Sequence, residues 1–402
     1  MPIIDMKDML NHAWRNGYAV GAFEVSNLDV LRAVMGAAEK HRAPVVLDIP
    51  GGEERELLMA AAETAARRAN IPVALHCRWG NDLAAVFDAV NHGCNGVSIE
   101  GPGLLLGDHI ERTRETSSMA RACGLVCGGV LSGEGPTTAG EAKGFSDRTG
   151  VDFLEISFAY RQPGGRLKLD WNRLREIGEA VAMPLAIELE RELSGEQFRK
   201  LSALGVAKVT CKIPLEVLAQ KLLRNSKVTL QSLFHELAQA VALEAEQYML
   251  LLGAAGRAAE ILAQSRLWLN VVHLVAFNAP LCSQDELRLA MKEGQRMLVN
   301  IPGVRAVVAG SVTEMSARYR HCWLVVLTSP MALENFRKHH DQVAFEEKIL
   351  RPATADRIVG DYTLADQVVG VEQLPLSLAH TVDTAYGHPG RTGTVTWKVR
   401  SD

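Results

Sequence analysis

Pro72-Val73-Ala74-Leu75-His76-Cys77-Arg78, a helical pattern over residues 82–92, Gly93, and then Gly96-Val97-Ser98-Ile99-Glu100 make up the stretch that decides the fold. Both short apolar runs lack the clean alternation of a half-exposed strand, so each reads as a strand buried on both faces. Strand, crossover helix with a glycine at its end, and second strand form a parallel βαβ unit. The same cadence continues in both directions. Strands are expected at 19–25, 44–49, 72–78, 96–100, 125–131, 153–158, 184–190 and 206–212, with helices at 28–41, 53–68, 82–92, 107–122 and 171–180 among the connections. Gly93, Gly124, Gly150 and Gly205 each stand just before a strand, where a left-handed helix end is expected. Eight parallel strands joined by crossovers predict a (β/α)8 TIM barrel of the α/β class.

Residues 215–267 read as helical, broken at Asn225-Ser226. The pattern changes near residue 268. Strands at 270–277, 304–310, 322–328 and 355–362 and helices at 285–299, 332–338 and 341–350 give a β-α-β-β-α-β order. That order predicts a ferredoxin-like α+β domain with one open sheet face, which a second copy of the chain would cover. The expected division is a barrel over 1–267, a second domain over 268–365, and an extension over 366–402 with a strand-like alternation at 392–399.

Composition narrows the function classes. Apolar residues are 48% and charged residues 22% of the chain, and the net charge is -4. This fits a globular protein and gives no electrostatic case for nucleic acid. No apolar run approaches membrane-spanning length, and Met1-Pro2-Ile3-Ile4-Asp5 lacks the pattern of a secretion signal. The seven cysteines contain no CxxC pair and read as reduced core thiols of a cytoplasmic protein.

Catalytic groups of a TIM barrel come from the C-terminal ends of its strands. Those positions hold Glu24, Asp48, His76 with Arg78, Glu100, Gln162, Glu188 with Glu190, and Lys212. Period-two alternation puts Glu188 and Glu190 on one face above Ala186, and His76 and Arg78 on another. Lys212 reads as a salt-bridge partner, a substrate-carboxylate ligand or an imine-forming amine. Glu188 and Glu190 read as an acid/base pair or as partners of Arg78 and Lys212. The planar fork of Arg78 suits a carboxylate, and Trp79 offers a stacking wall or a packing group. The segments 128–136 and 160–165, the latter containing Arg161 and Gln162, read as closing loops over the mouth.

The barrel resembles the zinc-dependent class II fructose- or tagatose-bisphosphate aldolases. The likeness is carried in order by Gly17-Tyr18-Ala19-Val20-Gly21-Ala22-Phe23-Glu24-Val25, Val73-Ala74-Leu75-His76, Thr149-Gly150-Val151-Asp152, Gly205-Val206-Ala207-Lys208-Val209 and Leu252-Gly253-Ala254-Ala255-Gly256-Arg257. The resemblance implies a His-x-Asp-His-Gly segment with a catalytic aspartate and a zinc ligand, where this chain has Arg78 and Trp79. Further metal-associated positions of the family correspond to Val130, Gln162 and Glu188. Its phosphate-binding Gly-Gly-Ser-Gly turn corresponds to Leu189, Glu190, Arg191 and Glu192, and its Asn-x-Asn pair to Thr210-Cys211-Lys212. Indole, aliphatic and amide groups do not make a zinc site, so no metal and no other cofactor is expected.

Residues 268–365 resemble the stress-responsive dimeric α/β-barrel (Dabb) domain, through Val272-His273-Leu274-Val275-Ala276-Phe277, Ile301-Pro302-Gly303-Val304, Phe345, Leu350-Arg351-Pro352 and Asp361-Tyr362. The resemblance implies dimerisation through the sheet; the histidine used by catalytic members corresponds to Gln342, and His273 matches a first-strand histidine. The combined expectation is a metal-independent carbon–carbon lyase, or a related isomerase or cyclase, acting on a small carboxylated metabolite as a homo-oligomer. The alternative is a non-catalytic binding or assembly protein, which predicts mutually paired Lys212 and glutamates with no ligand-sized cavity above them.

Overall fold

The computed structural model describes residues 3–79, 83–101, 104–131, 136–161, 167–189, 193–224, 229–314, 316–354 and 356–364. Eight parallel strands close into a barrel: β1 (Val20–Glu24), β2 (Val45–Ile49), β3 (Val73–Trp79), β4 (Gly96–Ile99), β5 (Val126–Leu131), β6 (Phe153–Ile156) and, after a small hairpin of β7 (Ala159–Arg161) and β8 (Leu167–Leu169), β9 (Leu185–Leu189) and β10 (Val206–Cys211). Each strand pairs with its expected neighbour, and β10 closes against β1. The two-sided burial of these runs is the reason they do not alternate in polarity. Gly93, Gly124, Gly150 and Gly205 all have positive φ, as expected where a helix must stop before the next strand.

The barrel floor is filled from the N-terminus. Ile3 bridges to Val73, and the helix Met6–Arg15, not anticipated from the sequence, lies beneath the strands. A Cβ on Gly96 would stand 2.3 Å from the Met6 sulfur, so any larger residue there would require the Met6 side chain to shift. The helical region after β10 breaks between Leu215–Leu223 and Leu230–Leu251 and, unlike the sequence reading, again before Ala258–Gln264. Gly253 and Gly256, both at positive φ, make this second break.

The second domain has β11 (Val271–Asn278), β12 (Val304–Ser311), β13 (His321–Leu327) and β14 (Asp356–Thr363) in the order β12-β13-β11-β14, all antiparallel. This is the ferredoxin-like arrangement. The helix expected at 341–350 is instead His340–Phe345 followed by a π-helical turn, Glu346–Leu350. The alternation expected at 392–399, with the rest of the extension, lies outside the described residues.

Polar contacts fix this domain to the end of the barrel opposite its mouth. Arg305 of β12 grips Glu63 through two nitrogens, at 2.7 and 2.6 Å, and Arg67 holds the same carboxylate at 2.8 Å. Gly303 N–H donates to Asn91, and Ser329 donates to the Cys123 carbonyl, in the connections that precede β4 and β5.

Candidate active site at the barrel mouth

The inward positions of the barrel carry a stack of charges. At the lowest level His76 is fully buried, with Nδ1 2.5 Å from Asp48 and Nε2 2.9 Å from the Ser98 hydroxyl. Burial depresses its pKa against the opposing pull of Asp48, so the ring is held towards its neutral form, with the Ser98 hydroxyl donating to it. Serine, histidine and aspartate are thus aligned as in a nucleophilic triad, but Ser98, the register partner of Arg78, is itself buried and outside the cavity lining.

Lys208 lies beside this layer, fully buried, 3.7 Å from Asp48, 3.8 Å from Glu155 and 3.1 Å from the Thr210 hydroxyl. One lysine between two carboxylates splits their behaviour. Burial acts to raise Asp48, but Lys208, then His76 and Arg78, outweigh it and hold the group well below the usual carboxylate range. For Glu155, burial wins over Lys208 and Arg78 and pushes the carboxyl above its ordinary value. Such divergence between neighbouring carboxyls marks candidate acid/base sites.

Arg78 forms the next level. Nε donates to Glu100 at 2.9 Å; Nη2 lies 2.6 Å from Glu100 and 3.0 Å from Glu155; Nη1 reaches Glu188 at 3.2 Å and Thr210 at 3.4 Å. All three guanidinium nitrogens are thus in contact with acceptors of the protein. The group expected to offer a carboxylate fork is therefore engaged by the protein's own acceptors. Lys212, more exposed, lies 2.5 Å from the other oxygen of Glu188. The charge-pairing readings of Arg78, Glu188 and Lys212 describe these contacts.

Above the charges opens a cavity of about 990 Å³, lined by Glu24, Asp48, Arg78, Glu100, Glu188 and Lys212 among others, with Phe23 and Tyr248 on its apolar side. The silent alternative predicted pairing without a cavity; the pairing is present, and so is the cavity. His76 sits below this space. Trp79 ends β3 and Arg161 ends β7, but their side chains, together with Glu190, Gln162 and parts of both expected closing loops, lie outside the described residues. Glu155 and Lys208 were missed by sorting strand ends. Each is a charge inside a fully buried parallel strand, a signal legible in Phe153-Leu154-Glu155-Ile156 and Val206-Ala207-Lys208-Val209.

Glu100, Glu155 and Glu188 converge on the mouth, but a guanidinium already occupies their common centre. The two ligand-like groups among the described residues, His339-His340-Asp341 and Glu56-Asp88-His92, lie elsewhere. Among the cysteines, burial pushes Cys123 up to about 12 and Cys127 and Cys211 higher still, as for inert core thiols. In the second domain His273 is bound to Asp361 at 2.7 Å and Gln342 is buried.

Comparison with known proteins agrees with this architecture. Residues 4–257 match the family model described as fructose-bisphosphate aldolase class-II, and residues 271–364 match the stress responsive A/B barrel domain. The chain is 26% identical to a sulfofructosephosphate aldolase of Alkalicoccus urumqiensis over 242 residues, 54% of this chain and 83% of that protein. It is 25% identical to a fructose-bisphosphate aldolase of Geobacillus stearothermophilus over 246 residues, 56% of this chain and 86% of the other. Among solved structures it is similar to the YdjI aldolase of Escherichia coli K12, with a TM-score of 0.59 and 24% identity over 64% of this chain and 99% of that one, a likeness of fold.

Proposed function

Because this chain belongs to the class II fructose-bisphosphate aldolase family, we propose that its barrel is a lyase of small metabolites that makes or breaks a carbon–carbon bond with side-chain acids and bases in place of zinc. The supporting observation is the continuous chain Lys212–Glu188–Arg78 on the floor of a ligand-sized cavity. In an aldol cleavage, Glu188 takes the proton of the β-hydroxyl. The carbon–carbon bond breaks and its electron pair moves to the carbonyl carbon's oxygen as an enolate, which the Lys212 ammonium stabilises and then protonates at carbon. Arg78 holds the Glu188 carboxylate in place, and Glu190 is the second carboxylate of the pair. Glu24, Asp48 and Glu100 contact the substrate from the cavity wall, with His76 supporting Asp48; Trp79, Arg161 and Gln162 are proposed substrate contacts on their sequence positions alone. A substrate carboxylate reaches Arg78 by displacing Glu100.

The second domain is proposed to pair two copies of the chain. Leu274, Ala276, Leu324, Val308 and Ile358 share its open sheet face through the registers Leu274↔Leu324, Leu324↔Val308 and Ala276↔Ile358. Ile358 is 54% exposed and Tyr362, on the same face, 57%. Covering such a strip removes apolar surface from water in both copies. Localisation in the cytoplasm remains the reading drawn from the reduced cysteines; no helix among the described residues is long and apolar enough to cross a membrane.

The test is a screen of small β-hydroxy carbonyl acids and their aldol donors with chelator-treated protein, following release or consumption of the carbonyl. Turnover that resists the chelator and disappears in Glu188→Gln and Lys212→Ala supports the reading. Turnover restored only by a divalent metal, or retained in both variants, refutes it.

A further inference from the structure

The second domain contains a separate cavity of about 1030 Å³ between the helix Gln284–Leu298 and the β12–β13 connection. Four of its lining residues are cationic: Arg288 and Lys292 on the helix, Arg318 and Arg320 on the connection. No aspartate or glutamate lines it among the described residues. Arg288 and Lys292 are four apart, so they project from one helix face and repel each other. Neither has an ion-pair partner among the described residues, whereas Arg318 pairs with Asp356 at 4.0 Å and lies over the Tyr319 ring.

The facing wall is held in place. Asn278 donates to the Arg318 carbonyl at 2.8 Å and accepts from Arg320 N–H at 3.1 Å, while Val312 N–H bonds the Arg320 carbonyl. The backbone carrying the two arginines is therefore clamped to the end of β11. Polar groups line the space between: His321 and Ser311 are bonded to each other at 3.0 Å, and burial with the nearby charge of Arg320 holds His321 towards its neutral form. Arg288 and Lys292, one helical turn apart and both on the cavity wall, gain nothing from each other's charge. A bound anion would convert that repulsion into charge-assisted hydrogen bonds.

We propose that this cavity is a binding site for a compact oligo-anion, a phosphorylated or polycarboxylate metabolite, independent of the chemistry at the barrel mouth. Its place at the far end of the molecule from the mouth suits a ligand that is sensed rather than transformed.

Calorimetric titration of the full chain at constant ionic strength tests this, with pyrophosphate in one arm and citrate in the other. The expected result is saturable binding of one anion per chain, stronger for the ligand whose class the site takes. The paired substitution Arg288→Gln with Lys292→Gln is expected to weaken that binding by at least roughly tenfold. Lys292→Arg keeps the charge and is expected to retain it, and Lys212→Ala at the mouth to leave it unchanged. Absence of saturable binding in both arms, equal affinity in the paired variant, or loss of binding in Lys212→Ala would each overturn the assignment. Preference for a short oligonucleotide over both small anions would also overturn it, in favour of a macromolecular surface.

Discussion

Arg78 bonds three carboxylates and a hydroxyl across four barrel strands or their ends, so its removal is the sharpest single perturbation available. Replacing it with leucine strands Glu155, which is 2% exposed, with Lys208 as its remaining cation. Breaking a buried pair from one side costs about 3–5 kcal/mol. Urea denaturation of Arg78→Leu should show a loss of that size, and adding Glu155→Leu should recover part of it. Lys212→Ala is a different case: its side chain is 56% exposed, so the loss of stability should stay below about 1 kcal/mol, while turnover falls to background. The sequence displayed Arg78, Glu188 and Lys212 because they stand at strand ends. Glu155 and Lys208 were legible too, as charges inside apolar strand runs, but sorting strand ends passed over them, and nothing in one strand reveals that a charge on another will meet it.

At the scale of elements, the contact of β12 with the helix Arg55–Arg68 concentrates its charge on Glu63. Burial would raise this carboxyl, but Arg305 and then Arg67 outweigh it and bring it from 4.5 down to about 2. A depressed carboxyl stabilises the folded state fully above its unfolded pKa, and that stability fades as pH falls from about 4.5 towards 2, by on the order of 3 kcal/mol in total. Denaturation midpoints compared with those of Glu63→Gln should converge as the pH falls through that window. A constant difference would show that Glu63 is not the group responsible. Gly303 belongs to the same joint. It has positive φ, and a Cβ there would lie 2.7 Å from the Ala332 methyl, so Gly303→Ala should lower the melting temperature and loosen the docking. The strands and the four glycine stops were legible because burial and left-handed geometry each leave a mark in sequence. The helix Met6–Arg15 was not anticipated, since it lies outside the repeating units, and the π-helical turn Glu346–Leu350 has no sequence period of its own.

Over the whole molecule, the barrel mouth and the second domain stand at opposite ends, and the lining of the mouth cavity ends at Tyr248. The two ends also differ in sign. Glu24, Asp48, Glu100, Glu188 and Glu244 face two cations at the mouth, whereas the second cavity has four cations and no lining carboxylate among the described residues. A chain cut after residue 267 should become monomeric in light scattering if the open sheet pairs two copies. A truncated chain that remains dimeric would move the interface to the barrel. The fold was legible at this scale from repetition along the chain. The docking was not, because the Glu63–Arg305 contact joins residues far apart in sequence with no motif in common.

The proposal of metal-free chemistry rests on the Arg78 guanidinium standing among Glu100, Glu155 and Glu188. Anomalous diffraction at the zinc edge, on crystals of the full chain equilibrated with zinc, measures it most directly. The account predicts no anomalous peak among Glu100, Glu155 and Glu188, with Arg78 density bridging them. A full-occupancy peak at that position, with the Arg78 side chain displaced, would contradict it.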